Sequence, residues 1–419
     1  MNLTRTYWLN AVQSHLRSYP VPVSVSYLWS TGSLLGIFMS LQICTGLLLA
    51  PHYIPEAEYA FASVEHIMRE VNYGWLFRYA HSNGASFIFA LMYLHIGRGL
   101  YYRSYLIKRG EMVWYSGMTI FILVMLISFI GYVLPWGQMS FWAAVVITNL
   151  LTALPGFGQE AALWAWGGPA VSSPTLTRFY TLHFFLPFVL IVFILWHMTA
   201  VHIVGSTNPI CIFGYVDTVR FYPYFYVKDL FAFCCVFFLF AVVVLEYPDA
   251  LGHPDNYIPA NIFITPKHIV PEWYFLPFFA ILRAIPNKVL GILAMFSSIF
   301  IIFILPRIDI VCHRTSPLFR PLFEYVFGLF ILDFLLLGYT GTKPPIYPYL
   351  ELSQICTFFY FVLCVTCFCL TARFEVYLDR FRHDYFIRTG ARARHIPRNK
   401  IKRKLKKSKM VRFFIRNLK

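Results

Sequence analysis

Apolar residues gather in eight long runs, at about 30–50, 75–102, 113–133, 175–203, 229–246, 288–305, 320–340 and 349–371. Each is close to the roughly 20 residues that an α-helix needs to cross a hydrocarbon core. The pattern predicts an all-α polytopic membrane protein with eight transmembrane helices. Two connections are long: residues 134–173, rich in Gly, Pro and Trp, and residues 246–287, rich in Pro. Loops of that length in a compact protein are expected to fold over a site rather than merely connect.

Basic residues collect on one side of this array, which orients it. Arg5 and Arg17 precede the first run, Arg98, Arg103, Lys108 and Arg109 follow the second, and Arg307, Arg314 and Arg320 follow the sixth. The first loop on the other side carries Glu56, Glu58, Glu65 and Glu70. An even number of spans then places both termini on the negative side of the membrane. Seven would break the pattern.

Composition excludes the two or three soluble domains that 419 residues would allow. The chain is 58% hydrophobic and only 13% charged, too little charge to cover a water-facing surface. Its net charge of +16 is unevenly placed. From Arg373 onward 17 Lys and Arg face three acids, and Arg388 to Lys419 holds 14 basic residues and no acid, whereas the preceding residues balance 18 against 16. The expected organisation is a negative-side segment (1–28), a four-helix bundle (29–204), four further helices (205–372) and a basic extension (373–419). Such an extension suits anionic lipid or acidic subunit surfaces. Nucleic-acid binding is not expected, because only Phe413 and Phe414 interleave with the charge. The polar start lacks the layout of a signal or transit peptide, so insertion where the chain is made is expected. Most of the nine cysteines lie in apolar runs and read as small hydrophobes, Cys364, Cys367 and Cys369 included.

Four histidines carry the chemistry. His81 and His95 in the second run, and His183 and His197 in the fourth, are each 14 residues apart. That interval is nearly four full turns, so each pair shares a helix face at two depths about 21 Å apart. One reversed helix separates the two runs, so they are parallel: His81 faces His183 and His95 faces His197. A single intramembrane imidazole is most often hydrogen-bonded to a neighbouring helix. Two pairs at one spacing instead suit the two axial positions of haem iron. Gly32 and Gly46 in the first run, and Gly117 and Gly131 in the third, repeat the interval. Alone they would read as small-residue packing; with the histidines they make room for two stacked haems. Arg78 and Arg98 lie beside the histidines, where propionates need cations.

These histidine and glycine pairs, the segment Gly131-Tyr132-Val133-Leu134-Pro135-Trp136-Gly137-Gln138-Met139-Ser140-Phe141-Trp142, and Pro271-Glu272-Trp273-Tyr274 together resemble the cytochrome b family of the respiratory cytochrome bc complex (complex III), over about residues 5–372. The resemblance implies two non-covalent b haems, the low-potential one on His81 and His183 and the high-potential one on His95 and His197, with Trp29 and Asn208 joining Arg78 and Arg98 near propionates. It implies a positive-side pocket (Qo) that oxidises ubiquinol, where Glu272 accepts a proton and Tyr132, Phe129, Trp142, Ala143, Tyr274 and Phe279 form the surroundings. A negative-side pocket (Qi) would reduce quinone at His202, Ser206, Asp229 and Lys228. One quinol electron would go to a Rieske iron–sulfur protein and the other across the two haems, coupled to proton translocation. The implied partners are that protein, cytochrome c1 and other complex III subunits, a second copy in a homodimer, and cardiolipin and other anionic lipids.

Two positions depart from the family pattern. Ala143 stands where Gly is common, and its methyl is expected to obstruct methoxyacrylate-type inhibitors. Phe279 stands where Tyr is common, so a hydroxyl is missing. Glu272 lies in an apolar, aromatic stretch that should raise its pKa; the competing reading pairs it with Arg283 or Lys288. The photosynthetic relative divides this chain in two and spaces its fourth-span histidines differently. A two-haem reductase would need a Gly-rich phosphate loop, which is missing here; a transporter would bind no haem. The 43 phenylalanines fit an A/T-rich organellar genome, so the mitochondrial inner membrane, with both termini in the matrix, is the expected location.

Overall fold

The computed structural model describes residues 10, 13–107, 109–210, 217–309, 316–317 and 320–378. Arg5, Lys108, Cys211, Cys312, Arg314 and the extension beyond residue 378 lie outside them. The first half contains α1 (Thr31–Leu49), α2 (Ala60–Arg69), α3 (Gly74–Tyr101), α4 (Gly110–Val133), α5 (Gln138–Thr148), α6 (Gly158–Trp166) and α7 (Ser173–Val204). The second contains α8 (Tyr226–Glu246), α9 (Leu276–Ala284), α10 (Lys288–Phe303), α11 (Leu305–Ile308), α12 (Pro321–Gly341) and α13 (Tyr349–Val365), the last continuing in helical form to Leu378.

Among the described residues six helices are long and apolar enough to cross a membrane. The other two expected spans are helices that miss one condition each. α3 has 28 residues but carries Arg78, His81, Asn83, His95 and Arg98 along its length. α10 is apolar but has 16 residues, and the short α11 follows it after one residue. Packing of α3 within the bundle makes its polarity tolerable.

Local chemistry sets the helix ends. α7 begins with a capping box in which the Ser172 and Thr175 side chains serve each other's backbone, with Pro174 in the first turn. Asn287 Oδ1 caps α10 by accepting from the Leu290 N–H at 3.0 Å.

α1 packs along α3 and α4 along α7, and the histidines lie between these two helix pairs. α8 lies against α3, while α9, α12 and α13 form a second packed unit. One continuous core joins the halves: Phe89 of α3 stacks on Tyr274 with ring centres 3.9 Å apart. A short strand β1 (Pro20–Pro22) pairs antiparallel with β2 (Thr218–Arg220), tying the N-terminal segment to the connection between α7 and α8.

Both long loops fold back as expected, and they clasp each other. Gln138 N–H donates to Ile258 O at 2.8 Å and Ala260 N–H to Trp136 O at 3.1 Å. Asn256 Oδ1 accepts from the Ser140 N–H at 2.9 Å. Only glycine fits at 137, where a Cβ would stand 2.3 Å from Asn256 O.

At the opposite end, two of the arginines that oriented the array are not surface charges. Arg103 is fully buried against Asp309, with its Nε 2.7 Å from Oδ2, and it also donates to Phe368 O. Tyr105 donates to the same carboxylate at 2.8 Å. Arg320 is buried against Glu375 at 2.7 Å, so the last helix is fastened beyond residue 372. Buried guanidiniums need such partners, because leaving one charge unpaired is far more costly than the pair itself.

Candidate functional site

The expected histidine pairs meet. The His81 and His183 ring centres are 6.2 Å apart and those of His95 and His197 6.4 Å apart. A metal bonded at about 2 Å to one nitrogen of each ring, with each ring centre roughly 1 Å further back, requires about 6 Å. The donor set therefore fits a bis-imidazole metal at both levels.

Second contacts select the nitrogen that is free to bind. The Thr45 hydroxyl donates to Leu41 O at 2.8 Å and so accepts from His81 Nδ1–H at 2.9 Å. Ser116 does the same for His197 at 2.9 Å while donating to Met112 O. His183 Nδ1 lies 3.0 Å from the carbonyl of Ile127, which can only accept. In these three rings Nδ1 carries the proton and Nε2 keeps its lone pair. His95 is different: Thr31 Oγ1 lies 3.2 Å from its Nδ1 and Arg98, a donor, competes at 3.3 Å.

Each of the four glycines admits one of these rings. A Cβ at Gly32 would stand 3.2 Å from His95 Cε1, at Gly46 3.1 Å from His81 Cε1, at Gly117 3.0 Å from His197 Cε1, and at Gly131 only 2.3 Å from His183 Cε1. This is a tighter constraint than the room for a macrocycle edge that spacing suggested. Sequence reading missed Thr31, Thr45 and Ser116, although a hydroxyl residue directly precedes three of the four glycines.

A cavity of about 660 Å³ connects the His81–His183 level to the long loops, lined by Gly46, Gly131, Arg78, Tyr132, Glu272 and Tyr274 among others. Its size and mixed lining suit a bound organic molecule. Glu272 is recessed into it, and burial pushes its carboxyl up to about 7, against the opposing influence of Tyr132 and the Arg78 charge. Tyr132 approaches Glu272 without the geometry of a full hydrogen bond, and its buried hydroxyl has no other partner. The cations that competed for Glu272 are engaged elsewhere. Arg283 donates to Lys343 O and Thr340 O at 2.9 and 2.8 Å, and Lys288 to Asn149 O and Thr152 Oγ1 at 2.9 and 2.8 Å.

Phe129, Trp142, Ala143 and Phe279 do not line this cavity. Phe129 packs on Phe179, Trp142 on Phe141, and Ala143 is buried within α5. Phe279 lies under the Arg283 guanidinium, 4.5 Å from ring centre to Cζ.

At the His95–His197 level, Arg98 lies over Trp29 at 5.0 Å. Arg98 Nε and Trp29 Nε1 are both buried without an acceptor, as a cofactor carboxylate would require. Asn208, also buried, accepts from Ile210 N–H at 3.0 Å. Nearby, His202 packs on Tyr19 with ring centres 4.6 Å apart, and Asp229 accepts from Ser33 Oγ at 2.8 Å. Lys228 donates to Val25 O and lies 4.9 Å from the Tyr27 ring centre. Ser206 is half-buried just past the end of α7. The β1–β2 pairing holds the N-terminal segment against this group.

Known proteins match over both halves. Residues 16–205 match the family model "Cytochrome b/b6/petB" and residues 259–361 the model "Cytochrome b(C-terminal)/b6/petD". Cytochrome b of Phytophthora megasperma is 51% identical over 370 residues, 88% of this chain and 96% of that protein. Cytochrome b of Cyanidium caldarium is 47% identical over 90% of this chain and 98% of its own length. Among solved structures, a chain described as "Hyperthermophilic respiratory Complex III" superposes with a TM-score of 0.83 at 30% identity, covering 89% of this chain and 98% of that one. With sequence and fold matched along nearly the whole length of these relatives, the chain belongs to the cytochrome b family.

Proposed function

We propose that this chain is the electron-transferring subunit of a quinol–cytochrome c oxidoreductase, complex III, working with a Rieske iron–sulfur protein, cytochrome c1 and other subunits, as a homodimer in the mitochondrial inner membrane. The observation that carries the reading is one cavity lined by both a facing histidine pair and a recessed carboxyl near neutrality. His81 and His183 would hold one b haem, and His95 and His197 the other. Bound there, haem iron supplies one-electron transfer at two depths of the membrane.

The protein's own part is positioning and proton handling. Helix geometry sets the two levels, and Thr45, Ser116 and the Ile127 carbonyl hold three rings with Nε2 free. Ubiquinol oxidation releases two electrons and two protons. Glu272, ionised at neutral pH in a growing fraction of molecules, takes one proton from a quinol hydroxyl at its carboxylate oxygen. Tyr132 and Tyr274 wall that side of the cavity. At the other level quinone gains two electrons and two protons, with His202 and Asp229 beside it and Lys228 assisting uptake. Arg98 and Trp29 offer their unpartnered N–H groups to a propionate. Oxidation at the positive side and reduction at the negative side move charge across the membrane in a Q cycle. The basic extension would meet cardiolipin and other anionic lipids on the matrix side, with both termini there.

A redox-titrated, reduced-minus-oxidised optical spectrum of the purified complex tests this. Two b-type haems titrating separately, one of them lost in His197→Ala, are expected. A spectrum with one haem or none overturns the reading.

A further inference from the structure

The cavity holding Glu272 has two further acids on its wall, Glu65 and Asp249, and the proposed cycle gives neither a task. Asp249 lies just beyond the end of α8 and is exposed to solvent. Two hydroxyls converge on its carboxylate: Tyr257 donates to Oδ1, and Tyr79 lies within hydrogen-bonding reach. Arg78 interacts electrostatically with Tyr257, Tyr79 and Glu272. Glu272, Arg78, Tyr79, Tyr257 and Asp249 all line the same cavity.

A carboxyl that takes a proton from quinol in a recess must lose it before the next turnover. Arg78 cannot accept one, because a guanidinium has no acceptor site. Burial and the neighbouring Asp249 push the Tyr257 hydroxyl above its ordinary range, so it stays a donor. Of the solvent-reaching acceptors on this wall, Glu65 is paired with Arg69 at 2.7 Å and His253 Nδ1 accepts from the Asp255 N–H at 3.2 Å, whereas Asp249 faces tyrosine hydroxyls.

We propose that Asp249 is the outer proton acceptor that empties Glu272, fixed in place by Tyr257 and Tyr79. This rests on the reading of Glu272 as the group that takes the quinol proton. The O–H bond on Glu272 breaks, cavity water carries the proton, an O–H bond forms on Asp249, and that proton then passes to bulk water. Glu272 returns to carboxylate and no electron moves. The fixed charge of Arg78 favours the ionised form of Glu272 and so keeps it from retaining the proton.

The test uses the whole complex in membranes, with quinol oxidation measured as cytochrome c reduction. Asp249→Asn should lower kcat about 100-fold, the low end for a lost proton-transfer group, with KM and the haem spectrum unchanged and the solvent deuterium isotope effect increased. Asp249→Glu should recover most of the rate, and Tyr257→Phe should lose less than Asp249→Asn. The proposal is overturned by wild-type kcat and isotope effect in Asp249→Asn while Glu272→Gln is slow in parallel. It is also overturned if Asp249→Asn and Asp249→Glu are equally slow with an unchanged isotope effect, which marks a structural role. Full activity in Glu272→Gln instead removes the reading beneath it.

Discussion

Gly131→Ala is the sharpest perturbation available, because its effect can be ranked against three sibling positions. An alanine Cβ at 131 would stand 2.3 Å from His183 Cε1, 2.9 Å from Nδ1 and 3.0 Å from Nε2. Carbon atoms in contact settle at about 3.5–4 Å, so the ring must retreat by more than about 1 Å. That movement also breaks the Nδ1 contact to the Ile127 carbonyl at 3.0 Å. At Gly32 the nearest ring atom would be 3.2 Å away, and a shift of a few tenths of an ångström suffices. Overpacking of this kind costs about 1–3 kcal/mol, which at roughly 1.4 kcal/mol per factor of ten weakens cofactor retention about 5- to 150-fold. Optical spectra of the assembled complex should show Gly131→Ala losing the haem at the His81–His183 level while the other stays, and Gly32→Ala keeping both. Gly117→Ala and Gly46→Ala should fall between. Full retention in Gly131→Ala, or a greater loss in Gly32→Ala, would refute the claim that these glycines exist to admit imidazole edges.

Quinol oxidation should rise with pH as Glu272 ionises through about 7, since only the carboxylate can accept a proton and the protonated form prevails below that value; Glu272→Gln should be slower and lose this inflection in a kcat–pH profile. Thr45→Ala and Ser116→Ala remove the acceptor from one Nδ1–H each, and a loss on the order of 10- to 100-fold in metal affinity is expected, together with a changed potential at that level alone in a redox titration. Arg103→Ala strands Asp309 in the interior and should destabilise the complex by about 3–5 kcal/mol, read as faster thermal inactivation, whereas replacing both by apolar residues of similar size should cost less.

Much of this was legible in the chain because it is periodic. The interval of 14 residues, repeated in four helices, gives the two levels and the facing rings without any coordinates. Apolar run length gives the helices, and it is weakest at α3, where Arg78, His81, Asn83, His95 and Arg98 interrupt the run. Contacts between distant loops leave no period to read. Asn256 meets Ser140 across 116 residues of sequence, and neither residue stands out locally. Charge was misleading in one respect. Arg103 and Arg320 counted as surface markers, yet each is buried against an acid from a far segment, which composition cannot show. The hydroxyl–glycine pairs Thr31-Gly32, Thr45-Gly46 and Ser116-Gly117 were visible but unread. Gly131 follows Ile130 instead, and there the bare helix carbonyl of Ile127 takes the hydroxyl's place.

The pairing of β1 with β2 sets an order on assembly. Pro20 aligns with Arg220, so the first strand has no partner until four membrane helices and the connection after them have left the ribosome. At a synthesis rate of about 5–20 residues per second, that wait is roughly 10 to 40 seconds. The helices carrying both histidine pairs are complete before the strand can close. The end of the bundle near Tyr19 and His202 therefore cannot be closed by this pairing until residue 220 has been made.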